Sequence, residues 1–153
     1  MWLKTALLFL SLWVGGETIQ PLPSSKILEL VKGPCVFVHL WATWCPICIE
    51  ELPQVIDFLN KNKTTIPVLV DLSSSFVQNN FSKKWVLSHS PQFKTYVKST
   101  EADNAYFQAL EPTVTRNLPY SALFHQGKRR QSWVGSVTVG ELKRTIDSIC
   151  NTK

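Results

Sequence analysis

Methionine is all but missing: the 153 residues contain one, Met1. Histidine is scarce, and His39, His89 and His125 lie far apart. Cysteine stops at four, with only Cys45 and Cys48 close in sequence. No second cysteine pair stands at zinc spacing, so a four-ligand zinc site has no donors to draw on. A methionine-assisted copper site is excluded once Met1 is removed with a leader. Charged residues make up 18% of the chain. The basic ones are scattered apart from Lys128-Arg129-Arg130, which follows Gly127 and reads as a solvated hairpin turn. The net charge of +5 therefore marks no nucleic-acid surface. Low-complexity tracts and internal repeats are absent. So is an apolar run of the about 20 residues a spanning helix needs.

What is present is a 44% hydrophobic chain, enough for one globular domain with a real core. Residues 1–4 are a short basic start, and 5–16 are uncharged and mostly apolar. That length suits the hydrophobic region of a secretory signal, with Val14 and Gly16 small enough for cleavage before Glu17. Residues 1–16 are expected to be a signal peptide or an uncleaved membrane anchor, 17–23 a linker and 24–153 the folded domain. No cysteine lies near the junction to carry a lipid. Export implies a periplasmic or otherwise exported location, where disulfides persist.

The periodicities predict an α/β domain. Ser24 or Ser25 caps a short helix through residue 31, with Ile27, Leu28, Leu30 and Val31 on its apolar face. Gly33-Pro34 ends it. Residues 35–41 are nearly continuous apolar sequence, the mark of a strand buried on both faces. A helix is expected over 45–61, kinked at Pro53, then a buried strand over 66–72. A helix over 75–87 carries Val77, Phe81 and Trp85. A short strand over 93–97 precedes a helix over 100–110 with Ala105, Tyr106, Ala109 and Leu110 inward. Strands over 120–125 and 131–134 form a hairpin through Gln126-Gly127-Lys128. Thr138 and Glu141 form a capping box for a last helix striped by Val139, Leu142, Ile146 and Ile149.

Cys45 and Cys48 fall where the first buried strand gives way to a helical pattern. A helix N-terminus carries unpaired N–H groups and the positive end of the dipole, so a thiolate is favoured there. Thiolates attack disulfides. A bare C-x-x-C is a weak signal, but here Trp44 precedes it, Pro53 follows by five residues, and Leu118-Pro119 precedes a late strand and hairpin. Together these features resemble the thioredoxin superfamily. Trp41-Ala42-Thr43-Trp44-Cys45-Pro46-Ile47-Cys48 followed by Glu51-Leu52-Pro53 is similar to its exported TlpA/ResA/DsbE-like branch of thiol-disulfide oxidoreductases. The likeness runs from about residue 27 to 149.

The resemblance implies a thioredoxin-like fold: a central mixed β-sheet flanked by helices, with a terminal antiparallel hairpin. Cys45 would attack and Cys48 would resolve the mixed disulfide. Pro119 would be cis, and the backbone of Leu118 would pair with an extended substrate strand. Trp44 and Pro46 would complete the substrate-facing rim. Tyr120 stands where the family often has threonine, which leaves the groove's shape open. His39 lies six residues before Cys45, where cytoplasmic thioredoxins carry a buried aspartate. It reads equally as a proton relay for Cys48 or as a hydrogen-bonded core histidine. Glu51 reads as a helix-surface carboxylate, although it matches the family motif. In this fold Cys35 and Cys150 come to the end of the domain opposite the cysteine pair. A structural disulfide and two buried free thiols both fit that placement.

The resemblance implies no bound cofactor. It implies protein thiols or disulfides as partners, with a membrane thiol-electron donor, and membrane contact only if the first segment stays uncleaved. Pro46-Ile47 offers no charged group to stabilise Cys45 strongly, which points to the reducing direction, of the cytochrome-c-maturation or copper-stress type. Two alternatives differ in chemistry. A copper module would use the two thiolates as soft ligands. A peroxiredoxin would need a peroxidatic cysteine in another spacing, with upstream threonine and proline that the chain does not show.

Overall fold

All six residues of Val36–Trp41 are buried, because this strand takes the interior of the sheet. The computed structural model describes residues 19–73, 81–113 and 116–151. In chain order these form β1 (Ile19–Leu22), α1 (Ser24–Leu30), β2 (Val36–Trp41), α2 (Pro46–Lys61), β3 (Ile66–Asp71) and α3 (Lys83–Ser88). Then follow β4 (Thr95–Lys98), α4 (Asp103–Leu110), β5 (Tyr120–His125), β6 (Lys128–Val134) and α5 (Val139–Cys150). The sheet order is β1-β4-β3-β2-β5-β6. The first four strands in that order run parallel, β5 is antiparallel to β2, and β6 is antiparallel to β5. This is the thioredoxin-like α/β arrangement expected from the sequence.

Alternation along β2 sorts its side chains between two cores. Phe37 and Trp41 pack with Cys48, Leu52, Leu142 and Ile146, between the sheet and the helices α2 and α5. Val36, Val38 and Leu40 pack on the other face with Tyr106, Phe107 and Tyr120. Each fully buried side chain of this kind contributes about 1.5–3 kcal/mol of transfer free energy. His39 shares the parity of Phe37 and Trp41, and so points toward α2.

Several elements depart from the sequence reading. Ile19–Leu22, expected as linker, is an edge strand paired in parallel with β4. Its two neighbouring prolines suggested a linker, but an edge strand has one unpartnered side and tolerates proline there. Neither Ser24 nor Ser25 caps α1: Pro23 holds the cap position, and Ser24 donates from its N–H and Oγ to the Glu101 carboxylate, at 2.7 and 2.8 Å. The helix expected over 75–87 is described only from Lys83, since residues 74–80, with Val77, lie outside the described residues. Phe81 is exposed. On α4 the inward residues are Tyr106, Phe107 and Leu110, with Ala105 and Ala109 half-buried. The hairpin turn is two residues, Gln126 and Gly127, both at positive φ (52° and 77°), the conformation that suits the twist of the flanking strands. Half of the capping box forms. Thr138 Oγ1 accepts the Glu141 N–H at 3.2 Å, while the Glu141 carboxylate accepts Trp133 Nε1 at 2.9 Å.

Residues 1–16 and Glu17, the site of the expected signal or anchor, also lie outside the described residues. Among the described residues no helix is long and apolar enough to cross a membrane.

Candidate active site

The parallel strands β2 and β3 end together, and the loops leaving them build the site. Thr43, just past β2, donates its N–H to Ser73 Oγ at 2.8 Å. Ser73, just past β3, donates its hydroxyl and its N–H to Asp71 Oδ1, at 2.5 and 2.8 Å. Asp71 is buried, and desolvation raises its carboxyl above the usual range, against the hydrogen bonds from Ser73 and the positive charge of Lys98. This network anchors the turn that delivers the cysteines. Sequence reasoning missed Asp71; the signal was an acid closing an apolar run, followed by serines.

Cys45 is the N-cap of α2, with Pro46 in the first turn, where its missing N–H costs nothing. Cys45 Sγ accepts the Cys48 N–H at 3.3 Å, so the sulfur sits among the unpaired amides of the helix start. Cys45 and Cys48 form a disulfide with a Cα separation of 5.3 Å. Cys45 keeps 5% of its surface and Cys48 none, so the first sulfur is the more approachable, though neither is openly exposed. Trp44 and Ile47 stand out beside them at 64% and 51% exposure, an apolar rim against which a partner can pack. Trp41 is core.

The Leu118-Pro119 peptide bond is cis. Tyr120 pairs with Leu40, which puts Pro119 level with Trp41, beside the cysteine turn. Pro119 is buried, Leu118 is half-buried, and the Pro119 carbonyl accepts the Gly135 N–H at 2.9 Å. Tyr120 does not enter this groove. Its ring is fully buried on the opposite face of the sheet, edge-on to Phe107.

His39 is completely buried, and desolvation lowers its pKa to about 4, so the ring is neutral at pH 7. Its Nδ1 is 2.8 Å from Ser121 Oγ, and its Nε2 is 3.7 Å from Glu51 Oε1. Glu51 is not the surface carboxylate expected. Its side chain is 11% exposed, because the residue lies on the α2 face turned to the sheet. Burial raises its pKa to about 7, against a lowering hydrogen bond from the Val137 N–H at 3.0 Å. Glu51 follows Cys48 by three residues, one helical turn. A carboxyl that titrates near neutrality thus stands beside a neutral imidazole in the turn after Cys48.

Cys35 and Cys150 are joined in a second disulfide, with a Cα separation of 5.8 Å, at the end of the domain where β2 begins. The free-thiol alternative does not describe this structure. The pair lies apart from the site, at the other end of β2 from Cys45.

No family model matches the chain. An uncharacterized protein of Haemophilus influenzae is 35% identical over 46 residues, which cover 30% of this chain and 30% of that protein. The chain thus matches under a third of that relative's length. Solved structures are similar over most of the chain. A thioredoxin-related protein from Neisseria meningitidis serogroup B superposes with a TM-score of 0.64 at 21% identity, covering 78% of this chain and 87% of that one. A thiol:disulfide interchange protein of the thioredoxin family from Chlorobium tepidum gives 0.63 at 18%, covering 80% and 83%. A secreted Mycobacterium tuberculosis disulfide oxidoreductase, described as homologous to E. coli DsbE, gives 0.61 at 14%, covering 78% and 85%. At these identities the likeness establishes the thioredoxin fold.

Proposed function

We propose that this chain is an exported thiol-disulfide oxidoreductase that exchanges disulfides with protein substrates through Cys45 and Cys48, in the reducing direction. The observation that carries the reading is the disulfide capping α2, with the Leu118-Pro119 segment beside the cysteine turn. Capping supplies the amides that favour a thiolate on the first cysteine. The cis-proline segment offers the backbone of Leu118 to an extended substrate strand. The secreted neighbour and the apolar segment at residues 5–16 support export.

In the reduced state, the Cys45 thiolate attacks one sulfur of a substrate disulfide. A mixed disulfide forms and one substrate thiolate leaves. Cys48 loses its proton and attacks Cys45 Sγ. The second substrate thiolate departs, and the Cys45–Cys48 bond remains. An external dithiol, such as a membrane thiol-electron donor, then reduces it. His39 serves this step through Glu51. The neutral, buried imidazole lies 3.7 Å from the carboxyl, and Glu51, at about 7 and one helical turn past Cys48, holds or takes the Cys48 proton.

The test is equilibration with glutathione. Pro46-Ile47 leaves Cys45 without a charged neighbour in the dipeptide, so the pair is expected to be more reducing than about −180 mV. A value near about −120 mV would place it among strong oxidants and reverse the proposed direction. A reduced protein that fails to reduce insulin would remove the activity itself.

A further inference from the structure

Tyr120 carries a hydroxyl into a place where a phenylalanine would pack equally well. The ring is fully buried against Phe107, with centroids 5.8 Å apart. A buried hydroxyl needs a partner, or it costs the desolvation of a polar group. Here the partner is charged: Tyr120 Oη donates to Glu111 Oε2 at 2.9 Å. Burial and this carboxylate push the phenol above its usual range. Glu111 is the residue that closes α4, and its own N–H is bonded back to the Phe107 carbonyl. Arg129 of β6 completes the cluster. One guanidinium nitrogen lies 3.1 Å from Glu111 Oε1, and another donates to the Leu110 carbonyl at 2.9 Å. The end of α4, the start of β5 and the body of β6 thus meet in one charge-assisted network.

Tyr120 is also the residue directly after the cis Leu118-Pro119 bond. Its hydroxyl ties the first residue of β5 to the last turn of α4, on the face of the sheet away from the cysteines. From the neighbouring strand, the Gly135 N–H holds the Pro119 carbonyl. The backbone of Leu118 is therefore fixed from behind, by groups that never enter the groove. A substrate strand that adds to this backbone needs its N–H and C=O already in place, since ordering them on binding would weaken affinity.

We infer that Tyr120, with Glu111 and Arg129, is a positioning network that presets the Leu118-Pro119 backbone for the substrate strand. This rests on the disulfide exchange proposed above. The network acts on binding, not on the sulfurs. Tyr120→Phe keeps the ring and removes the hydroxyl, and Glu111→Gln keeps the shape and removes the charge. With insulin as substrate, each variant should raise KM about tenfold, the scale of a hydrogen bond to a charged group, and leave kcat unchanged. The rate at which dithiothreitol reduces Cys45–Cys48, followed by Trp44 fluorescence, should not move. Amide exchange at Leu118 should accelerate about tenfold, with β2 amides unaffected. An unchanged KM overturns the inference. So does a parallel change in KM and in the dithiothreitol rate, which marks general destabilisation. If the wild-type protein does not reduce insulin, the exchange reading fails by itself. Leu118 amide exchange in the two variants then decides the positioning role: faster exchange supports it, and unchanged exchange overturns it.

Discussion

Cys45–Cys48 and Cys35–Cys150 lie at opposite ends of the same strand, β2, and join the same kinds of atoms. Their surroundings separate them. The first spans three residues at a helix N-terminus, next to exposed Trp44 and Ile47 and a titrating carboxyl. The second spans 115 residues and pins the last turn of α5 to the start of the central strand. Loop-closure entropy makes the long bridge worth about 5 kcal/mol and the short one about 2 kcal/mol against the open chain. A small ring with an approachable sulfur can open and close at little cost to the fold, whereas a large ring is most useful when it stays shut. The bond is the same, and sequence separation and local field divide the proposed exchange from stability.

Breaking the short bridge should have the largest effect. Cys45→Ser is expected to abolish disulfide exchange, a loss of several orders of magnitude, while Cys48→Ser should accumulate stable mixed disulfides visible on non-reducing gels. Equal trapping by both variants would reverse the assigned order. The paired change Cys35→Ser with Cys150→Ser tests the other end. Its expected cost is about 2–5 kcal/mol in urea unfolding, with insulin reduction retained. A loss of exchange without a loss of stability would mean that the two bridges share work.

The pH dependence of stability sharpens the contrast at the Cys45–Cys48 end. Glu51 rises from 4.5 to about 7 on folding, so its contribution is fully present below pH 4.5 and lost as pH rises through about 7. His39 falls from 6.5 to about 4, so its contribution is present above 6.5 and lost as pH falls through about 4. Between pH 4.5 and 6.5 the two oppose each other, and the urea midpoint of the wild type should be nearly flat across that window. Glu51→Gln should unmask His39 and lose stability as pH falls from 6.5 to 4, by at most roughly 3 kcal/mol. His39→Asn should show the opposite slope. Identical profiles for all three proteins would dissolve the pairing. The smallest effect is expected from Thr138→Ala, which removes the cap at the N-terminal end of α5, at about 1 kcal/mol. Urea unfolding should show it adding to the loss of Cys35–Cys150, since the cap and the bridge hold opposite ends of the helix.

Much of this molecule was legible along the chain because it depends on local pattern. The buried run of β2, the helix beginning at the cysteines, the strand Tyr120–His125 and the cap at Thr138 follow from periodicity and from the chemistry of a few residue types. The cysteine pair was legible for the same reason: four consecutive residues at a helix start define its geometry. The strand Ile19–Leu22 was not, because four residues that include Pro21 and precede Pro23 carry no pattern of their own and become a strand only when β4 supplies the partner. The side chains of Glu51 and Ser24 were misread because the groups they meet are distant in sequence. Glu51 meets the Val137 amide and His39, and Ser24 meets Glu101.

The sequence by itself determined the order of elements from α1 onward, the two-sided burial of the central strand and the thiols placed at a helix N-terminus, all products of short-range sterics, hydrogen bonding and hydrophobic spacing. Tertiary structure alone decided which cysteines bridge across 115 residues, that Glu51 is desolvated beside a neutral His39, and that the Tyr120 hydroxyl finds Glu111 behind the cis-proline. Burial and pairing of polar groups are properties of the space between elements, and that space exists only once the sheet has brought its strands together.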